Sequence, residues 1–299
     1  MSNQLEQLIE NSSSFLSLES DVKHTRCSGC GNYGIMNATM RAITLLGHAG
    51  HEVIFVYDVG CSGNGSDKLM VNTIHGLHGR SLPLASWVHL ANPEVPIVVM
   101  AGDGATLSEG VNHLIHTARN NYNITFLLHN NHNYGLTTGQ ASSTTPKGCQ
   151  HKGTVGETTA TPLIPSQLVL SSGGTFVARG YSGDVNQLTE LIMSWIQHKW
   201  FSFVEILQLC PTYSKATSAE RYDQRIYKVS DRDDYDPSDK HLAYQTVEDF
   251  DHMATGILYQ DKDRTHFYEE QVQRKGVSTS PVDEVEMFDV SGLIEEFLV

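Results

Sequence analysis

PIVVMAGDGATLSEGVNHLIHTARN, residues 96–120, followed two residues later by NITFLLHNNHNYGLTTGQ, residues 123–140, decides the architecture. Pro96 to Met100 is a short apolar, β-branched run of the kind that forms a buried strand. It runs into Gly102–Asp103–Gly104. Behind that turn, Ala105 to Arg119 reads as a helix, because Val111, Leu114, Ile115 and Ala118 recur at helical spacing. Ile124 to Leu128 is a second buried strand, ending in a cluster of Asn, His and Gly.

The same alternation extends outward. A helix is expected over Ile35 to Leu46 and a strand over Val53 to Tyr57. Further along come a strand over Thr175 to Ala178, a helix over Val185 to His198 and a strand over Phe203 to Gln208. Strands separated by helix-length segments imply an α/β fold, a mostly parallel sheet with helices on both faces. Ligands in such sheets sit at the carboxyl ends of the strands, where every unusual motif of this chain falls. Gly135 to Thr161 is too long for an idle connection and is expected to serve a site or an interface. Beyond Ser214 the pattern loosens, with helices expected over Ala243 to Gln260 and Phe288 to Leu298. The organisation expected is an N-terminal lead over residues 1–24, the sheet domain over 25–215 and an acidic C-terminal arm over 216–299.

The chain has 299 residues, 39% hydrophobic and 18% charged, enough for a sizeable core. Its 20 Lys and Arg against 34 Asp and Glu give a net charge of -14, which provides no overall basic field for nucleic acid or anionic lipid. Residues 231–299 carry 6 basic and 18 acidic side chains, so the excess belongs to the tail. No apolar run approaches the roughly eighteen residues of a membrane span, and the first twenty residues lack the pattern of a secretion signal. A cytoplasmic protein with neither nucleic-acid nor membrane partners is expected.

Of five cysteines, Cys27 and Cys30 form CSGC, which allows two thiolates to grip one metal or cluster corner. Cys61 follows the first strand and Cys210 the last, so a parallel sheet brings both toward one edge. Four sulfurs fit zinc or an iron-sulfur cluster; the lack of a second CxxC favours the cluster. The alternative is a redox dithiol with Cys61 and Cys210 as ordinary buried cysteines. Cys149 is expected to be a free thiol. In the GDG turn, glycines admit a diphosphate and the helix start offers it amides. Asp103 would hold the neutralising divalent cation, joined by the Asn131 amide oxygen and the Asn133 carbonyl, an oxygen set that suits magnesium. The bland reading, two ordinary turns, is weakened by the spacing. No GxGxxG leads into a helix, and no GKS or GKT phosphate loop is present.

These motifs resemble those of the beta, thiamine-diphosphate-binding subunit of the 2-oxoacid:ferredoxin oxidoreductases, over roughly Thr25 to Ala216. The matches are the four spaced cysteines, GCSG at Gly60 to Gly63, HGLHGR at His75 to Arg80, LANP at Leu90 to Pro93, GDG, and the Asn130 to Gln140 segment. The resemblance implies a thiamine-diphosphate-binding fold in residues 25–215 with thiamine diphosphate and Mg2+, and one 4Fe-4S cluster on Cys27, Cys30, Cys61 and Cys210. It implies an enzyme subunit for oxidative decarboxylation of a 2-oxoacid, of the 2-oxoglutarate or pyruvate class. Coenzyme A and ferredoxin take part, giving acyl-CoA, CO2 and reduced ferredoxin. It implies activity only with an alpha partner, fused to gamma in some members, that supplies the pyrimidine-binding domain and its glutamate.

Cofactor contacts are then expected from Cys61, Ser62, Gly63, His78, Gly102, Asp103, Gly104, Ala105, Asn131 and Asn133. Magnesium contacts are expected from Asp103, Asn131 and Asn133. Leu136, Thr137, Thr138 and His78 are the candidate catalytic residues bordering thiazolium and substrate. The absence of Lys at Thr138 removes a cationic clamp for a distal carboxylate. His113 and His116, three apart on a helix, are expected to be packing or surface residues. Competing functions are a thiamine-dependent decarboxylase or carboligase subunit that passes no electrons, and a metal-stabilised structural or electron-transfer subunit.

Overall fold

The computed structural model describes residues 18–152, 155–214, 216–265, 267, 269–285 and 291–292. Its strands are β1 (Ile54–Tyr57), β2 (Asn72–His75), β3 (Ile97–Gly102), β4 (Thr125–Asn130), β5 (Phe176–Tyr181), β6 (Ser202–Leu207), β7 (Tyr227–Lys228) and β8 (Ala254–Gln260). They form one sheet in the order β2-β1-β3-β4-β6-β5-β8-β7. Only the β5–β8 pairing is antiparallel. The α/β fold with a mostly parallel sheet is therefore observed, with an extension that adds β8 and β7 to one edge.

The helices are α1 (Asn32–Leu45), α2 (Ser81–Ala91), α3 (Val111–Asn120), α4 (Pro165–Ser171), α5 (Val185–Ile196), α6 (Ala219–Arg225) and α7 (Lys240–Asp249). Continuous apolar runs make buried strands because successive side chains point to opposite faces and both faces are covered. Phe55, Val98, Leu127 and Phe176 meet Ile35 and Ile43 of α1 and Leu188 and Trp195 of α5. Val56, Val99, Phe126 and Phe203 meet Leu82, Leu114, Val169 and Val247 on the other face.

Two expected helices differ. The run after GDG splits into a π-helical turn, Ala105–Glu109, and α3. The break at Gly110 leaves the Glu109 carbonyl free to accept from Arg80 Nη1 at 2.8 Å. The helix expected over Ala243 to Gln260 stops at Asp249. Asp251 and His252 turn with φ of 47° and 61°, and the β-branched stretch behind them joins β5 as β8. The helix expected over Phe288 to Leu298 falls outside the described residues except for Ser291 and Gly292. Elements α2, β2 and α4 have no counterpart among the elements expected from periodicity. Among the described residues no helix is long and apolar enough to cross a membrane.

Beside the first residues of β5, His198 is wedged against Phe176 and Trp200 with Nε2 3.3 Å from Thr175 Oγ1. Burial lowers its pKa from 6.5 to about 4. As pH falls, the unfolded chain takes up this proton before the folded one, so the contribution is complete above about 6.5 and is lost toward pH 4. The loss is on the order of 3 kcal/mol at most. His198→Gln is expected to flatten the fall in melting temperature between pH 6.5 and 4, measured against the parent chain; parallel curves would refute this.

Candidate functional site

Parallel pairing sets Gly102 opposite His129, so the chain leaves β3 and β4 side by side. Asp103 and Asn131 emerge from these neighbouring ends, both buried. The β2-β1-β3-β4 order reverses direction between β1 and β3, which is where a parallel sheet opens a crevice. A cavity of about 140 Å³ lies there. It is lined by Cys61, Ser62, His78, Gly102, Asp103, Gly104, Ala105, Asn131, Asn133, Leu136 and Thr137, among others. The sheet thus gathers most of the expected site residues. Gly63 and Thr138 are not on its wall: Gly63 packs over the Asp58 carbonyl, and Thr138 is exposed with φ of 77°.

Asp103 is fixed from one side. Its Oδ2 accepts from Ser142 Oγ at 2.5 Å and lies 2.7 Å from Thr144 Oγ1. Thr144 Oγ1 is also 2.9 Å from Asn130 Oδ1, and Asn130 Nδ2 donates to Glu205 Oε1 at 2.8 Å. Glu205 is in turn paired with Arg179 across β5 and β6 at 2.8 Å. A buried ion pair beneath the site therefore orients the carboxamide that meets the loop over Asp103. Burial pushes the Asp103 carboxyl above the usual range, against the pull of the two hydroxyls. Part of the long Gly135–Thr161 segment is accounted for here, since Ser142 to Thr145 folds back onto this carboxylate.

Among the described residues, three buried polar atoms on the cavity wall have no partner: Ser62 Oγ, His129 Nε2 and Asn133 Oδ1. Orphaned groups are uncommon in native interiors, and three at one cavity point to a polar ligand. His129 donates from Nδ1 to Asn32 Oδ1 at 2.7 Å, and burial lowers its pKa to about 3, so a neutral imidazole presents Nε2. Asn131 Oδ1 accepts from the Asn133 backbone amide at 3.1 Å and from Asn133 Nδ2 at 3.3 Å.

His78 is oriented by a residue the motifs do not reveal. Asp58, buried at the end of β1, accepts from His78 Nδ1 at 3.1 Å, Gly79 N at 2.9 Å and Val59 N at 2.8 Å. His78 Nε2 stands 4.0 Å from Glu109 Oε2. A lone Asp after a strand gives little sequence signal, and Ser142 and Thr144 are hidden in a Ser/Thr-rich loop. Of the other histidines, Ser66 Oγ is 3.4 Å from His75 Nδ1, and the β4-end His132 meets the Thr144 carbonyl at 2.9 Å.

The four selected cysteines come from distant parts of the chain to one neighbourhood. Cys30 N donates to the Cys27 carbonyl at 3.2 Å, closing the CSGC turn. Gly31 N donates to the Leu209 carbonyl at 3.0 Å, and a Cβ on Gly31 would lie 2.7 Å from Leu209 N, so only glycine lets this turn dock beside Cys210. Asn32 Nδ2 reaches the Cys61 carbonyl at 3.2 Å. Burial pushes the Cys61 thiol up to about 12, with Cys30, Cys210 and Cys27 adding to the rise. Among the described residues no group of three or more His, Cys, Asp or Glu is arranged to hold a metal ion as it stands. Cys149 lies apart, at a cavity shared with His151 and Glu157.

The thiamine pyrophosphate enzyme, C-terminal TPP binding domain family matches residues 58–206, and the family of the C terminal region of the pyruvate ferredoxin oxidoreductase beta subunit matches residues 210–275. The chain is 38% identical over 264 residues to a 2-oxoacid:ferredoxin oxidoreductase subunit beta of Saccharolobus solfataricus, covering 84% of this chain and 86% of that one. It is 38% identical over 214 residues to the 2-oxoglutarate oxidoreductase subunit KorB of Mycobacterium tuberculosis, covering 70% and 57%. Among solved structures, it resembles the 2-oxoglutarate:ferredoxin oxidoreductase from Magnetococcus marinus with 2-oxoglutarate, coenzyme A and succinyl-CoA bound. The TM-score is 0.84 at 29% identity, over 94% of this chain and 95% of that chain.

The two glycines flanking Asp103 are expected to respond differently to alanine. A Cβ at Gly104 would lie 2.4 Å from the Tyr134 ring, whereas at Gly102 the nearest neighbour, Ser62 Oγ, is 4.0 Å away. Gly104→Ala should cost about 1–3 kcal/mol of unfolding free energy. Gly102→Ala should stay within about 0.5 kcal/mol of the parent. Urea unfolding of both variants checks this, and equal losses would contradict the geometry.

Proposed function

Because this chain belongs to the beta subunits of the 2-oxoacid:ferredoxin oxidoreductases, we propose that the cavity at the ends of β1, β3 and β4 holds the diphosphate of thiamine diphosphate through Mg2+, beside a 4Fe-4S cluster. The chain is a subunit of an enzyme of oxidative decarboxylation, which uses coenzyme A and ferredoxin and depends on its partner subunit. The observation that carries the site assignment is the set of three orphaned polar atoms on one cavity with a buried carboxylate tethered through a single oxygen. A divalent cation would take Asp103, the Asn131 amide oxygen and the Asn133 carbonyl, and the Ser62 hydroxyl would donate to a diphosphate oxygen. Ala105 and Gly104, opening the π-helical turn, offer amides to the phosphates.

Thiamine diphosphate supplies carbanion chemistry at the 2-oxoacid carbonyl, and an iron-sulfur cluster accepts electrons one at a time. This chain's residues arrange that chemistry. Asp103 holds the cation, kept in place by Ser142 and Thr144. Ser62 and Cys61 border the cofactor on the side of the thiols. His78, held through Nδ1 by Asp58, keeps its Nε2 edge for substrate or phosphate. Leu136 and Thr137 line the mouth, with Thr138 beyond it.

The four thiols that feel one another support one shared centre on Cys27, Cys30, Cys61 and Cys210. The cavity wall has no Lys or Arg, so a distal carboxylate on a 2-oxoacid of the 2-oxoglutarate class would be met by His78 or by the partner. Pyruvate needs no such contact.

Co-purified with its alpha partner, the chain is expected to bind thiamine diphosphate in a Mg2+-dependent manner by calorimetry, and Asp103→Asn to weaken binding by about a hundredfold. The complex should contain iron and reduce a dye with a 2-oxoacid and coenzyme A. The lone chain should not turn over. Unaltered cofactor binding by Asp103→Asn would sink the site assignment.

A further inference from the structure

We propose that Arg26 is the counter-ion of the cluster and raises the potential at which that centre takes up an electron, an inference that rests on reading Cys27, Cys30, Cys61 and Cys210 as its ligands. Arg26 directly precedes Cys27 and is partly buried. Its Nε is shut off from solvent without a hydrogen-bond partner. Among the described residues Nη1 meets only the Met36 sulfur, at 3.4 Å, and the guanidinium lies 5.8 Å over the Tyr33 ring. Room for Nη2 exists because residue 65 is glycine; a Cβ there would be 2.7 Å away.

Among the described residues no carboxylate pairs with this guanidinium. Asp67, which senses its charge, is exposed and held by Lys68 Nζ at 2.7 Å. Arginine does not give up its proton in proteins, so the sheltered charge stands uncompensated. A charge drawn out of water is costly unless an anion shares the site. The groups that feel it include Tyr57, Cys30, Tyr33 and Cys61, and burial outweighs them in lowering its pKa. As thiols and phenols these are neutral. They become a counter-charge only when the cysteines ligate as thiolates.

Four thiolates around a core of four irons and four sulfides leave two net negative charges when the centre is oxidised and three when it is reduced. Reduction adds one electron, makes or breaks no bond in the chain and requires no proton from Arg26. A fixed cation stabilises the more negative state and so raises the potential, since net charge is one of the levers on cluster potentials. The electron leaves again to ferredoxin, the acceptor of the family reaction. Arg26 is therefore a positioning and tuning residue, not a group that touches substrate.

The test uses the assembled complex with Arg26→Gln, which removes the charge, and Arg26→Lys, which keeps it. The reduced cluster is followed by electron paramagnetic resonance during a redox titration, with iron counted per chain. Arg26→Gln should shift the midpoint to more negative potential, so that at the parent midpoint the reduced-to-oxidised ratio falls about tenfold, equivalent to about 59 mV for one electron. Arg26→Lys should keep most of the parent value. Loss of iron in Arg26→Gln but not in Arg26→Lys also supports the counter-ion role. A fully loaded Arg26→Gln complex with the parent midpoint overturns it, as does equal iron loss in both variants. A parent complex without iron defeats the ligand reading itself, a separate result.

Discussion

A carboxylate buried at the end of a parallel strand has to be met by something, and the architecture around Asp103 is organised to meet half of it. Two loop hydroxyls occupy Oδ2, and the residue lines the cavity. The hydroxyls come from the Ser142 to Thr145 turn, and Thr144 is steadied by Asn130, which Glu205 and Arg179 orient from within the sheet. Charge is rare in the centre of such a sheet, and this pair is tolerated because Ser166 and Asn130 complete the bonding of Glu205.

The same economy governs the opposite wall. Asp58 uses its oxygens on His78, on Gly79 and Ser81 amides and on its own neighbour, which anchors the HGLHGR loop at the end of β1. The loop then brings Arg80 to the Glu109 carbonyl, where the helical path after GDG breaks. Two buried aspartates, one per strand end, thus frame the crevice. One serves the loop, and the other is the proposed cation ligand.

The thiol side adds a third constraint. The CSGC turn is docked by Gly31 against residues 208 and 209 and by Asn32 against Cys61, so a single N-terminal turn ties together the ends of β1 and β6. Asn32 also holds His129, on the cavity wall. Through that one side chain the sulfur-rich corner and the crevice share a wall, the proximity that the proposed electron transfer from cofactor to cluster requires.

The strand and helix order was legible because apolar runs and helical spacing are local properties, and parallel pairing then follows from the lengths of the connections. Motif spacing likewise placed Asp103, Asn131, Ser62 and Cys61 at strand ends, where the structure gathers them on one cavity. Local pattern failed where backbone turns override it, as at Asp251 and His252, which convert an expected helix into β8. It was also silent on Asp58, Ser142, Thr144 and Arg26, whose residue types are ordinary for turns and surfaces. Their meaning depends on which partners are missing or present across tens to hundreds of residues of chain. Sequence by itself set the fold class and the residue types available for the chemistry; only tertiary packing decided which oxygens are already bonded, which are left open and which charge stands alone, because hydrogen-bond satisfaction is a property of the assembled interior.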